Sequence, residues 1–326
     1  MPLIDLPLDE LHTYAGRNPR PDDHDAYWDR ALAELDTLDS APSLTLAETG
    51  IPNVACFDLH FTGVGGARVH AKYVRPADHL GGNEPGPALM RFHGYTGSAG
   101  DWAGLLPFVA SGFRVAALDC RGQGGHSTDP FDAVGTTLHG HIIRGLEDDD
   151  PDKLYYRNVF LDTALMTRIV AGFDEVDADR LASCGGSQGG ALSLVCAALA
   201  SNDIKRCVTT HPFLCDYRRV WEMDLAKHAY DGLTQFFRRH DPQHRRIDHW
   251  FTRLGYIDVQ HLAPRIRADV CMATSLMDPV CPPSTQFAAY NKITSSKRLE
   301  VFPDFGHEGL PGWPDIELRW LCDGWM

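Results

Sequence analysis

The 326-residue sequence predicts an α/β fold with a doubly wound, mostly parallel β-sheet. Short apolar runs that end in turn or polar residues recur from Ala88 onwards, and longer stretches with apolar residues at helical spacing lie between them. This alternation of strand and helix is typical of parallel sheets with helices on both faces. The hydrophobic content of 44% is sufficient for a large core. We therefore expect a single domain over residues 1–326.

The first 75 residues differ in pattern from the rest. Residues 1–50 alternate acidic, proline and leucine segments, and they are predicted to form an N-terminal arm with a helix at about 23–36. Two alternating runs follow, Val54 to Phe61 and Arg68 to Arg75, with several glycines between them. Alternation on both sides of a glycine-containing gap predicts an antiparallel hairpin.

Five later runs are candidate parallel strands, because each is short, apolar and followed by turn residues. Their sequences are ALMRF, FRVAALD, RLASC, RCVTT and VCMATSLM. Helices are predicted at 158–173 and 189–200, whereas a polar and aromatic stretch at about 215–261 is predicted to be a helical insertion. Ligands bind beyond the carboxyl ends of parallel strands, so this insertion could form a lid over the site or an oligomer contact.

Charge and cysteine content narrow the classes of function. Lys and Arg number 30 and Asp and Glu number 44, and the net charge of −14 disfavours nucleic acid and anionic membranes as partners. The nine cysteines include no C-x-x-C pair, so reduced thiols are expected. The acidic N-terminus and the lack of a long apolar run predict a soluble, cytoplasmic protein.

The most informative motif is G-x-S-x-G, which occurs as Gly185-Gly186-Ser187-Gln188-Gly189. A predicted strand precedes it and a predicted helix follows it, which is the setting that a nucleophilic serine requires. The turn is sharp, so a side chain at Gly185 or Gly189 would collide with neighbouring elements. Ser187 would then lie at a helix N-terminus, where the dipole favours a developing negative charge. An ordinary serine helix cap is the alternative interpretation.

A serine nucleophile needs a base and an acid, and in this architecture their chain order is Ser, then Asp or Glu, then His. His307 follows an apolar run and lies in a glycine-containing loop, whereas Asp278 ends the preceding predicted strand. We therefore predict that Ser187, Asp278 and His307 form a catalytic triad. Asp304 is the nearest alternative acid, but it shares the loop of His307.

Acyl transfer also requires two N–H donors for the oxyanion. One is predicted to be the backbone N–H of Gln188, and the other that of Tyr95, in the loop His93-Gly94-Tyr95-Thr96-Gly97. His93 is expected to support this loop by hydrogen bonding. Metal binding is suggested only by His139-Gly140-His141 and the acidic run 147–150, which lack a strong third ligand. We expect neither a metal nor an organic cofactor.

Taken together, these segments resemble the acetyl xylan esterase and cephalosporin C deacetylase family, carbohydrate esterase family seven, of the α/β-hydrolase superfamily. The resemblance covers roughly residues 20–320. The matching segments are HGYTG at 93–97, RGQ at 121–123, GGSQGG at 185–190, DPVCPPSTQFAAYN from residue 278 and GHE at 306–308.

The resemblance implies the same triad and oxyanion donors, and it adds Arg121, Gly122 and Gln123 as a family signature. An arginine there can pin neighbouring loops through its five donors, so this signature is expected to be structural. The implied substrates are small acetylated carbohydrates, such as xylo-oligosaccharides, and cephalosporin C. The implied assembly is a cytoplasmic homohexamer. His211 departs from the family, which favours a tyrosine beside the following proline.

Two other functions fit parts of the pattern. A serine peptidase of the prolyl oligopeptidase type would carry a propeller domain before the hydrolase, but fewer than 90 residues precede the first predicted parallel strand. A catalytically inactive hydrolase fold that binds a ligand would typically lack a triad member, and all three candidates are present here.

Overall fold

The computed structural model describes residues 4–130, 133 and 140–326. Within these residues, nine strands form one sheet with the spatial order β1-β2-β3-β5-β4-β6-β7-β8-β9. In chain order, β1 to β9 are Ser43–Leu46, Val54–Thr62, Arg68–Pro76, Gly86–Phe92, Arg114–Leu118, Val176–Gly186, Ile204–Thr210, Asp269–Ser275 and Lys297–Phe302.

The same residues form eleven α-helices. In chain order, α1 to α11 are Leu8–Leu11, His24–Thr37, Leu106–Ala110, Tyr155–Ala171, Gln188–Leu199, Tyr217–Glu222, Asp231–His240, Ile247–Leu254, Val259–Leu262, Pro283–Lys292 and Trp313–Cys322. None of the helices in the described part of the chain has the length and apolar character needed to span a bilayer.

The sheet is antiparallel at one end and parallel over the rest. The predicted hairpin is present as β2 and β3, which pair along their whole length from Val54 opposite Pro76 to Thr62 opposite Arg68. Strand β3 also pairs antiparallel with β5, and from β5 onwards every neighbouring pair is parallel. The predicted α/β class, with a doubly wound and mostly parallel sheet, is confirmed.

The core lies in two layers, one on each face of the sheet. Helices α4 and α5 pack on one face, while α3 and α11 pack on the other. Successive residues of β4 supply both layers, because Leu89 belongs to the α3 and α11 side and Met90 to the α4 and α5 side. Every residue of α5 is buried, which its small and apolar sequence QGGALSLVCAAL permits.

The predicted N-terminal arm packs against the rest of the chain through α2. The Trp28 ring stacks on Phe160 of α4, with 5.8 Å between ring centroids, and its indole N–H donates to the Tyr256 carbonyl oxygen at 2.9 Å. The predicted insertion consists of α6 to α9. These contacts support the single-domain organisation, which stays a prediction.

We predict that the arm contributes to global stability. Trp28 is fully buried, so Trp28→Ala should lower the free energy of unfolding by about 3–5 kcal/mol, because it removes apolar contacts and leaves a cavity. Urea denaturation followed by circular dichroism measures this change. Leu46→Ala is the control, since Leu46 is 63% exposed, and it should change stability by less than about 0.5 kcal/mol. Equal effects would show that the arm does not stabilise the domain.

Candidate active site

Ser187 occupies a sharp turn between β6 and α5. Its backbone has φ 58° and ψ −120°, a strained conformation for a non-glycine residue. The flanking glycines are explained by space: a Cβ on Gly185 would lie 2.7 Å from the Phe92 carbonyl oxygen, and one on Gly189 would overlap the same oxygen. The predicted collisions at both glycines are therefore real, and they fix the helix start against the end of β4.

The three predicted triad residues lie together at the carboxyl ends of the parallel strands. His307 Nε2 is 3.0 Å from Ser187 Oγ, and His307 Nδ1 is 2.7 Å from Asp278 Oδ2. Both distances lie within the range of hydrogen bonds. Asp304, the alternative acid, is exposed. The geometry is that of a base which can accept the serine proton on one nitrogen while a carboxylate holds the other.

Asp278 is completely buried but remains charged. Its Oδ1 accepts hydrogen bonds from the backbone N–H groups of Val280 and Cys281, both at 2.8 Å. Burial alone would raise the pKa of Asp278, but the imidazoles of His211 and His307 and the Cys281 N–H outweigh it and lower the pKa from 3.8 to about 2. A carboxylate is therefore present across the physiological pH range to orient His307.

His211 is a second imidazole beside the same carboxylate, which the sequence analysis did not anticipate. Its Nδ1 lies 3.3 Å from Asp278 Oδ2, and its ring centroid is 5.4 Å from that of His307. The side chain is 5% exposed, and its Nε2 has no hydrogen-bond partner among the described residues. The only signal in the sequence was the departure at His211-Pro212 from the family pattern.

A thiol also lies beside the serine. Cys281 is fully buried, and its side chain is next to the Ser187 hydroxyl. Burial raises the pKa of this thiol well above its ordinary value, and the nearby Asp278 carboxylate acts in the same direction. Cys281 is therefore a neutral neighbour of the nucleophile rather than a competing one.

The two predicted oxyanion donors are free. Neither the Gln188 N–H nor the Tyr95 N–H donates a hydrogen bond to any residue that the structure describes. The Tyr95 turn is closed by Gly97 N–H to the Gly94 carbonyl oxygen at 3.0 Å. His93 holds the loop in the predicted way, since its Nε2 accepts from the Cys120 N–H at 3.0 Å and its Nδ1 is 2.7 Å from the Gly94 oxygen.

Gln123 of the predicted signature joins the two donor segments. Its amide and that of Gln188 pair reciprocally, at 2.8 and 3.0 Å, and its oxygen also accepts from the Thr96 N–H at 2.9 Å. The Tyr156 hydroxyl donates to the Gln188 oxygen at 2.8 Å, so the Gln188 side chain is held from two sides. Gln123 thereby couples the Tyr95 turn to the start of α5.

Arg121 holds the loop that carries Gln123. It forms a bidentate pair with Asp162 of α4, at 2.7 Å from Nε and 2.6 Å from Nη2, and its Nη1 donates to the Val64 carbonyl oxygen. Both side chains are at most 2% exposed. Gly122 has φ 65°, which explains why a glycine separates Arg121 from Gln123. Asp162 was not predicted, because its partner is 41 residues away in the chain.

Asp119 accepts hydrogen bonds from backbone segments that lie before and after it in the chain. The sequence analysis did not predict this role either. Its Oδ2 accepts from the His126 N–H at 2.9 Å and lies 2.7 Å from His70 Nδ1, while its Oδ1 accepts from the Ala99 N–H. Hydrogen bonds to His70 and to these N–H groups outweigh burial and lower the pKa of Asp119 to about 2. Only the long-range pairing of β3 with the end of β5 brings His70 to this position.

The two histidines considered as a weak metal signal are His139 and His141. His139 lies outside the described residues, and His141 contacts the Tyr95 hydroxyl, which accepts its backbone N–H at 2.9 Å. Among the described part of the chain, the one group of three His, Cys, Asp or Glu side chains with suitably close ligand atoms is His211, Asp278 and His307.

Comparison with known proteins identifies one family. A family model described as acetyl xylan esterase (AXE1) matches residues 1–324. The acetyl esterase Axe7A of Xylanibacter ruminicola is 29% identical over 223 residues, which are 66% of this chain and 47% of that protein. The chain thus spans about half the length of the curated relative that it matches.

Two solved structures are similar over nearly their whole length. Acetyl xylan esterase 1 from Thermoanaerobacterium sp. JW/SL YS485 has 50% sequence identity and a TM-score of 0.95, over 98% of this chain and 99% of that one. The acetyl xylan esterase from Paenibacillus sp. R4 has 35% identity and a TM-score of 0.92, over 98% and 100%. More distant α/β hydrolases, such as the carboxylesterase EstE1 at 16% identity and a TM-score of 0.55, share the fold.

We predict different tolerances for two glycines of the serine turn. Gly189→Ala should lower the free energy of unfolding by at least about 2 kcal/mol, because its Cβ overlaps the Phe92 backbone, which cannot move without disturbing β4. Gly186→Ala is the matched control, since its Cβ would have only ordinary contacts, the nearest at 3.8 Å. Chemical denaturation of both variants measures the difference. Equal stability would contradict the proposed packing constraint.

Proposed function

The chain belongs to the acetyl xylan esterase (AXE1) family, and we propose that it is a serine esterase that removes acetyl groups from small acetylated carbohydrates. The observation that carries this proposal is the hydrogen-bonded series from Ser187 through His307 to Asp278, next to two free N–H donors. Ester hydrolysis by a serine requires these elements: a nucleophile, an oriented base and an oxyanion site.

In the first half of the reaction, Ser187 Oγ attacks the acetyl carbonyl carbon while His307 Nε2 takes the hydroxyl proton. The carbonyl oxygen becomes an oxyanion that accepts hydrogen bonds from the N–H groups of Tyr95 and Gln188. The intermediate then collapses, the bond to the sugar oxygen breaks, and His307 gives its proton to that oxygen. The sugar leaves with a free hydroxyl, and the acetyl group stays on Ser187.

In the second half, water replaces the sugar. His307 takes a proton from the water, whose oxygen attacks the acetyl carbon, and then returns the proton to Ser187 Oγ as the acetyl–serine bond breaks. Asp278 stays ionised in both halves, holds the Nδ1–H tautomer of His307 and stabilises its cationic form. Acetate leaves, and the chain returns to its starting state without a metal or an organic cofactor.

The surroundings of Ser187 favour a short acyl group. Phe213 is fully buried, its backbone N–H donates to the Ser187 carbonyl oxygen at 3.1 Å, and its ring lies 4.3 Å from that of Tyr230 and 5.6 Å from that of Tyr95. A buried aromatic cluster is thus attached to the backbone of Ser187, and the Cys281 thiol lies beside its hydroxyl. Tyr230 comes from the 215–261 insertion, which supports a role of the insertion in covering the site.

The natural substrates that we propose are acetylated xylo-oligosaccharides, with cephalosporin C as a second acetyl ester that the family resemblance suggests. The names of the similar esterases support acetylated xylan fragments. The homohexameric assembly and cytoplasmic location implied by the resemblance stay predictions. The intact hydrogen-bonded triad favours an active enzyme over an inactive ligand-binding module, and the match over 1–324 to esterases favours it over a peptidase.

We predict that hydrolysis of p-nitrophenyl acetate depends on Ser187. Ser187→Ala should lower kcat/KM by at least about a thousandfold, because no other oriented nucleophile replaces the hydroxyl. Steady-state rates measure this loss, and Ser296→Ala, at an exposed serine, is the matched control. If the wild-type protein does not hydrolyse acetyl esters, or if Ser187→Ala is as active, the esterase proposal is wrong.

We also predict a steep dependence on acyl length. Butyryl esters should have a kcat/KM at least about tenfold below acetyl esters, because the extra methylenes meet the packed rings around Ser187. Phe213→Leu should reduce this difference, since it replaces an aromatic ring with a smaller side chain. Values of kcat/KM for acetylated xylo-oligosaccharides and for cephalosporin C then show which alcohol part of the ester the site prefers. A preference for long acyl chains would refute the deacetylase assignment.

A further inference from the structure

His211 adds an unusual element to the candidate active site. Its imidazole is only 5% exposed, its Nδ1 lies 3.3 Å from Asp278 Oδ2, and no described residue hydrogen-bonds to its Nε2. A buried imidazole whose nitrogen faces a buried carboxylate is well placed to bind a cation between the two groups. The backbone at His211 has φ 44°, a left-handed conformation that is uncommon for a non-glycine residue.

The neighbours of His211 are metal-binding groups. Ligand atoms of His211, Asp278 and His307 all lie within 4.8 Å of one another. A tetrahedral Zn²⁺ with bonds of about 2.0–2.1 Å places its ligand atoms about 3.3 Å apart. His211 Nδ1 and Asp278 Oδ2 are 3.3 Å apart, whereas His307 Nδ1 and Asp278 Oδ2 are 2.7 Å apart and would need to separate slightly.

The chemistry of the three side chains suits zinc in particular. Two imidazoles and one carboxylate are a typical set of protein ligands for Zn²⁺, with solvent in the fourth position. Asp278 supplies the carboxylate that a buried divalent cation requires. His307 is 24% exposed, which provides a route for the ion from solvent.

We propose that His211, Asp278 and His307 form an inhibitory binding site for Zn²⁺ within the candidate active site. The site is a consequence of His211, because without it only the His307 and Asp278 pair remains, and two ligands bind zinc weakly. The existence of the site is independent of the reaction, whereas its inhibitory effect rests on the proposed esterase function.

The inhibition follows from the tautomers of His307. In the active state Nδ1 carries the proton and Nε2 accepts from Ser187. When zinc binds Nδ1, the proton moves to Nε2, so the ring stays neutral and no proton is released. His211 likewise binds zinc through an unprotonated Nδ1, with its proton on Nε2. A protonated Nε2 cannot accept the serine proton, so the base is blocked while the nucleophile stays in place.

Binding is measured directly with Co²⁺, which replaces Zn²⁺ and has visible absorption bands characteristic of tetrahedral coordination. We expect one Co²⁺ per chain with these bands, displaced by Zn²⁺. His211→Phe should weaken binding by at least about tenfold, and His211→Asn is a second variant that keeps a small polar side chain if the first does not fold. His79→Asn, at an exposed histidine, is the matched control and should bind as the wild type does.

Inhibition is measured in parallel with p-nitrophenyl acetate, each variant being compared with its own rate without metal. Zn²⁺ should inhibit the wild type and the His79→Asn variant, excess EDTA should restore activity, and the His211 variants should require at least about tenfold more Zn²⁺. Unchanged zinc sensitivity of the His211 variants would overturn the proposal. The proposal would also be overturned if only the Cys281→Ser variant lost its sensitivity to Zn²⁺. That result would place the ion on the thiol beside Ser187.

The Ser187→Ala variant separates this proposal from the esterase proposal. Ser187 is not a ligand, so the inactive variant should keep the Co²⁺ bands and lose them when His211→Phe is added. If the wild type shows the Co²⁺ absorption bands but no esterase activity, the metal site is supported and the proposed function is refuted. Esterase activity without His211-dependent bands would refute the metal site and leave the proposed function standing.

Discussion

The close approach of one helix to two strand ends controls the geometry of this site. The first turn of α5 packs directly on backbone, so a Cβ on Gly189 would overlap the Phe92 carbonyl oxygen and one on Gly190 would lie 2.6 Å from that of Thr210. Because backbone contacts backbone there, the helix cannot shift without displacing the strand ends that it touches. The strained conformation of Ser187 persists for the same reason: the structure on both sides of it is fixed.

That constraint also determines where the two predicted oxyanion donors lie. The Gln188 N–H is the first of α5, and the Gln188 side chain pairs with the amide of Gln123, which accepts from the loop of Tyr95. Preorganised donors stabilise a transition state because they need not reorient as charge develops. The Arg121 pair with Asp162 holds the loop of Gln123, which supports the structural role expected for this signature. A short motif, RGQ, thus connects α4, the Tyr95 turn and α5.

The sequence was informative where chemistry depends on local pattern. The strand before Ser187, the glycines around it and the chain order of Asp278 and His307 could all be read from spacing, and so could the helices and the hairpin. Partners that lie far apart in the chain could not be predicted. Asp162, the Asp119–His70 pair and the contact of His211 with Asp278 arise from strand pairing across the sheet, for which a single sequence carries no local signal. The bounds of the helices differed from those predicted by a few residues, since helix ends depend on caps and tertiary contacts.

The N-terminal arm contacts the loop that surrounds Ser187, the candidate nucleophile. Asp216 is fully buried and accepts hydrogen bonds from the Tyr14 hydroxyl and the N–H groups of Arg17 and Asn18, at 2.8 to 3.0 Å, while its own N–H donates to Asp258. Asp216 ends a turn that begins at Thr210, and this turn holds the serine on both sides: the Ser187 N–H donates to the Thr210 oxygen, and the Ser187 oxygen accepts from Phe213. Hydrogen bonds thus connect residues 14–18 to the segment that holds the backbone of Ser187. This explains why an arm without catalytic groups is part of the same packed structure as the site.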